Sequence, residues 1–135
     1  MTRVVVLVLA MMALGCLPRA PMAVMCEAAS YLGEGVTTAR TLVASGQKVP
    51  GEAEGIRTME VALDEARERL DAVTEPSYRS AHVWVGLDDA EGVLRDALGE
   101  LTDGGLVMAA EQIDLAHSTL EGLPPILPRP CLGLS

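Results

Sequence analysis

The stretch "IRTMEVALDEARERLDAV", Ile56 to Val73, decides the fold. Its apolar residues Ile56, Met59, Leu63, Ala66, Leu70 and Val73 recur at alternating steps of three and four. That spacing lines one side of an α-helix, whereas a half-buried strand alternates at every second residue. "DEARERLD", Asp64 to Asp71, supplies charges that solvate the rest of the surface. Glu65 and Arg69 stand in the i,i+4 order that pairs charges along a helix.

Working outward, three more stretches repeat the seam. Met25, Ala29, Leu32, Val36, Ala39 and Val43 precede it; Val83, Leu87, Ala90, Leu94, Ala97 and Leu101 follow. Leu106, Ala109, Ile113, Ala116, Leu120 and Leu123 complete the set. Breakers separate them: "SGQKVPGE" at 45–52, "TEPS" at 74–77 and "TDGG" at 102–105. Short connections between long amphipathic helices favour antiparallel neighbours. The sequence therefore predicts an all-α, up-down-up-down four-helix bundle over residues 16–123. The second and fourth seams match at an offset of 50, with Gly55/Gly105, Asp64/Asp114, Ala66/Ala116 and Leu70/Leu120 identical. A duplicated hairpin gives that match, and so do shared heptad constraints on a skewed composition.

Two places strain the pattern. The first helix carries Gly33, Gly35, Thr37 and Thr38, all poorer helix formers than Ala, and is expected to form only when packed. In the third, "HVWVGL" (His82 to Leu87) also suits a strand or an extended entry, and Asp88 with Glu91 offers a rival capping-box start. Continuity of the seam through Val83 and Leu87 favours a helix from about Pro76.

A different pattern occupies "VVVLVLAMMALGC", Val4 to Cys16. Arg3 precedes twelve uncharged, mostly apolar residues, and Pro18 and Arg19 end the run. A membrane-spanning helix needs about 20 residues to cross a hydrocarbon core of ~30 Å. A positive start, a short apolar run and small residues at its end make a secretory signal, here residues 1–15. "ALGC", Ala13 to Cys16, resembles the lipobox of bacterial lipoproteins. Leucine usually stands three residues before the cysteine, where this chain has Ala13. The resemblance implies a diacylglyceryl group on the Cys16 thiol, cleavage before it, and a membrane anchor through that lipid. Ala13-x-Gly15 also suits ordinary signal peptidase, which would leave a soluble periplasmic or secreted protein.

The formal net charge is −9, and removing residues 1–15, which contain Arg3 and no acid, makes the remainder more negative. Such a chain repels phosphate backbones, so nucleic acid is not an expected partner. With Cys16 lipidated, Cys26 and Cys131 remain as an even pair in an oxidising compartment. In the predicted topology the end of helix four lies beside the start of helix one. The stiff "LPPILPRP" of the Pro-rich tail, residues 124–135, then carries Cys131 towards Cys26, and a disulfide is expected.

No G-x-S-x-G, Gly-rich phosphate cradle or Cys-x-x-Cys-His is present, and no catalytic residue is nominated. "DLAH", Asp114 to His117, is one weak match to the Glu-x-x-His of di-metal bundles and is expected to be a local contact on a solvated face. Met22, Met25, His82 and His117 are expected at the bundle end that holds Cys26. In that layout the chain is similar to soluble periplasmic b-type cytochromes, which hold haem between a Met early in helix one and a His late in helix four. The resemblance implies Met25 and His117 as haem or metal candidates. Core packing by Met25 is the competing explanation, and no cofactor is expected. The expected function is a non-enzymatic structural or interaction role in the cell envelope, with an envelope protein as partner. A cytochrome-like electron carrier is the alternative.

Overall fold

The computed structural model describes residues 20–46 and 52–123. The signal segment, Cys16 and the Pro-rich tail with Cys131 lie outside the described residues. Among those described, 88% are helical, no strand occurs, and five helices pack against one another. They are α1 (Pro21–Ala44), α2 (Glu52–Ala72), α3 (Pro76–Arg79), α4 (His82–Asp103) and α5 (Leu106–Glu121). No described helix is long and apolar enough to cross a membrane.

Local chemistry sets the helix ends. Pro21 opens α1 where its missing N–H would have had no intrahelical partner. Gly46 (φ 65°) and Gly104 (φ 85°) end α1 and α4 in the left-handed region, which costs a glycine nothing. Within α1, Thr37 and Thr41 donate their hydroxyls back to the carbonyls of Gly33 and Thr37. Gly33 and Gly35 are buried. A Cβ at Gly35 would sit 3.6 Å from Leu94 and 3.8 Å from Leu63, so α1, α2 and α4 converge there.

All four seams face the core. Val43, Ile56, Leu106 and Leu123 are half-buried against it, and every other seam residue is buried. Additional burial of apolar side chains falls on α1 (Val24, Ala28, Leu42), α2 (Ala62) and α4 (Leu98). The widest apolar face is that of α1, which like α4 packs against three long neighbours. The remaining pair, α2 and α5, shares no comparable packed face.

Side-chain contacts fix which ends meet. A Cβ on Gly55, early in α2, would lie 2.6 Å from Leu42, late in α1. At the opposite end, Arg69 of α2 reaches Glu27 of α1 at 3.5 Å. Trp84, early in α4, donates to the Leu70 carbonyl late in α2. Leu123, just past α5, covers Gly86 of α4.

The third seam starts differently from the expectation. A helix does not run on from Pro76, and Asp88 does not open one. α3 stops at Arg79; Ala81 is extended (ψ 146°), and α4 begins at His82. The break follows from the end of α2. Arg79 donates to the carbonyls of Val73 (2.6 Å) and Asp71 (3.3 Å), while Trp84 takes Leu70. One unbroken helix from Pro76 would carry Arg79 and Trp84 in a fixed relation along its axis. The kink at Ser80–Ala81 lets both reach carbonyls at the same helix end.

Candidate functional site

The densest polar constellation lies between α2 and α4. Glu91 is 5% exposed and is the only buried charged side chain among the described residues. Its carboxylate lies 2.7 Å from Arg95 and 3.6 Å from Arg67. Arg67 also meets Asp88 at 2.5 Å and Asp71 at 2.9 Å, and Arg95 meets Asp64 at 3.1 Å. Partial burial works against the charge on Arg67, but bonds from Asp88 and Asp71 outweigh it and raise its pKa. Arg95 is raised likewise: Glu91 and Asp64 outweigh its desolvation. The two arginines are thereby held charged and paired across α2 and α4, which suits a fixed crosslink between helices.

Aromatic rings extend this network to the bundle end. Arg67 and Arg79 lie over the Trp84 ring at 5.9 and 5.2 Å from its centroid, within cation–π range. On the other flank of α2, Arg69 sits 4.8 Å over Tyr31 and pairs with Glu65, the i,i+4 partner expected from the sequence. Burial again opposes its charge, and the Glu65 contact raises its pKa above the ordinary value.

The sequence candidates fall around this frame. Met25 is 1% exposed, inside the apolar core. His117 is half-buried; its Nε2 lies 2.7 Å from Glu121 Oε1, and its Nδ1 is buried without a hydrogen-bond partner. Asp114 makes no local pair with His117: it lies 3.5 Å from Arg40 across the α1–α5 interface. The expected "DLAH" contact is thus replaced by one between helices, because Arg40 supplies the opposite charge from α1. Met22 is half-buried and His82 exposed. Glu27 near the start of α1 and Trp84 near the start of α4 both meet the end of α2, and Leu123 just past α5 covers Gly86 of α4. Cys26 is half-buried in the first turns of α1, packed against the core. Among the described residues, no three His, Cys, Asp or Glu side chains are grouped to hold a metal ion.

Surface grooves follow the helix seams. One of about 680 Å³ runs between α1 and α2 past Tyr31, Glu34, Glu54, Arg57 and Val61. A second, about 310 Å³, continues it along Ser30, Gly33, Thr37 and Thr38. A third, about 380 Å³, lies between α2 and α4 beside Asp64, Arg95 and Leu98. The first and third mix charges of both signs, whereas the second is lined by hydroxyls with Glu34 as its one charge.

Arg79 went unnoticed in the sequence, and Glu91 and Trp84 were read only as parts of a helix start, not as contacts between helices. The Glu91–Arg95 spacing of four was the available signal, together with the position of Glu91 next to seam residue Ala90. No family model, curated protein or solved structure matches the chain, and its role has to be argued from its own residues.

Proposed function

We propose that this chain is an exported protein, anchored through a lipid on Cys16, whose helical domain has a structural or interaction role in the cell envelope. The observation that carries this reading is Arg3, the short apolar run to Gly15, and Cys16 directly after "ALG". No catalytic role is part of the proposal.

The fold belonging to this reading is an antiparallel up-down-up-down four-helix bundle built from α1, α2, α4 and α5, with α3 as a turn in the second connection. Its support is the end-to-end pairing of Leu42 with Gly55, Glu27 with Arg69, Leu70 with Trp84 and Gly86 with Leu123. In that topology α5 finishes at the end where α1 begins, which favours a Cys26–Cys131 disulfide tying the tail across it.

Cys16→Ala tests the anchor. The variant is expected to leave the membrane fraction or remain unprocessed, and mass spectrometry of the wild-type mature N-terminus should find a diacylglyceryl-cysteine. Membrane partitioning unchanged by the substitution, with no lipid on residue 16, overturns the lipoprotein reading. A visible spectrum of the purified protein separates the cytochrome-like alternative. No Soret band is expected, and a stoichiometric one would replace the proposal with haem between Met25 and His117.

A further inference from the structure

Among the described residues five large apolar side chains are exposed, and three of them share α5: Val107 (75%), Met108 (51%) and Leu115 (56%). Met108 and Leu115 are seven residues apart, hence two turns along one face, with Glu111 between them. The inward face of α5 is filled separately by Ala109, Ile113, Ala116 and Leu120. The outward residues are therefore not needed by the protein's own core. Among the described helices, α5 packs chiefly on α4 and α1.

Charge identifies what fits there. α5 carries Glu111, Asp114 and Glu121 and no Lys or Arg. Arg40 approaches Asp114 at 3.5 Å but leaves that carboxylate side chain 76% exposed. The face is an apolar strip edged by carboxylates. We infer that it is a docking surface for a basic amphipathic helix of another envelope protein, which rests on the interaction role proposed above. Such a helix covers Met108 and Leu115 with apolar side chains two turns apart and brings Lys or Arg to the flanking acids. The unbranched Met108 side chain adapts to the shape laid against it. A second copy is a poorer occupant. A symmetric contact would set Glu111 and Asp114 against their own equivalents, like charge against like. Anionic lipid headgroups meet the same repulsion.

The test is a fluorescence-anisotropy titration of the purified exported protein in phosphatidylcholine nanodiscs, with empty discs as the blank. The probe is a synthetic leucine–lysine helix with one apolar face. It is expected to bind at least about tenfold more tightly than its scrambled isomer or a leucine–glutamate helix. Met108→Ser and Leu115→Ser should each weaken binding several-fold with the helical signal intact, and Val61→Ser, on the other exposed groove, should leave it unchanged. Equal binding of the scrambled peptide, or unaltered binding by the serine variants, overturns the proposal. So does self-association that Leu115→Ser abolishes, or affinity for phosphatidylglycerol vesicles that it removes. Failure of the Cys16 experiment would revise the anchor and leave this surface standing, whereas failure of the titration would do the reverse.

Discussion

Glu91 holds two arginines from a position that solvent scarcely reaches, and charges so placed are costly unless every partner is present. Here they are present: Arg95 and Arg67 meet the carboxylate, and Asp64, Asp71 and Asp88 satisfy the outer sides of both guanidinium groups. The raised arginine pKa values contribute stability that is complete below the ordinary arginine value. It is lost only as pH rises through the higher folded value, so both stay charged over any workable range. Glu91→Gln keeps the shape and removes the charge. Because both arginines retain aspartates, the loss should be about 1–3 kcal/mol, less than for a buried pair broken outright. A urea midpoint lowered at constant slope would show it, and an unmoved midpoint would mean that desolvation cancels the pairing. The seam made this residue hard to recognise. Ala90 already occupies the core position, and a glutamate one step on looks like surface until α2 is laid against it.

At the scale of elements, α4 combines a strong seam with glycines that its packing does not require. Gly92 and Gly99 are exposed, lie mid-helix, and an added Cβ at either meets nothing within 4 Å. Gly92→Ala and Gly99→Ala should each stabilise by about 0.5–1 kcal/mol, read as a higher melting temperature in the double variant. A fall would mean that the α4 surface is covered by something in the folded protein. Gly35 is the contrasting case, since three helices converge on it, and α1 tolerates its poor propensity for that reason. Helix identity was legible from periodicity throughout, because each seam residue answers to the same apolar core. The α3–α4 boundary was not. It depends on Arg79 and Trp84 reaching carbonyls of α2, a long-range demand that leaves no periodic trace.

For the whole molecule, a two-helix seam is the narrowest reading of an apolar pattern, and α1, which like α4 touches three long neighbours, exceeds it most. Val24, Ala28, Leu42, Ala62 and Leu98 lie off the seams and could be located only after the helices were assembled. The side-chain setting of the haem candidates was equally out of reach: Met25 lies in the core, and His117 meets Glu121 through Nε2. The chain ends give one prediction at this scale. A Cys26–Cys131 bond closes a loop of about 105 residues and restricts the unfolded chain by roughly 4–5 kcal/mol in the entropy account. Reduction should therefore lower the melting temperature while the helical signal survives, and non-reducing peptide mapping should recover the joined peptides. Two thiols that alkylate freely in the native exported protein would exclude it. The sharpest test of the assembly compares positions two residues apart on α2. Leu63 is wholly buried and Val61 is 54% exposed, although both are apolar and lie in the same helix. Leu63→Asp puts an unpaired carboxylate among α1, α2 and α4 and should abolish the cooperative unfolding transition and most of the helical circular dichroism. Val61→Asp adds the same charge to solvent and should shift stability by no more than about 0.5 kcal/mol. If the two variants behaved alike, α2 would not present Leu63 to the core, and the packing derived from the seams would fail.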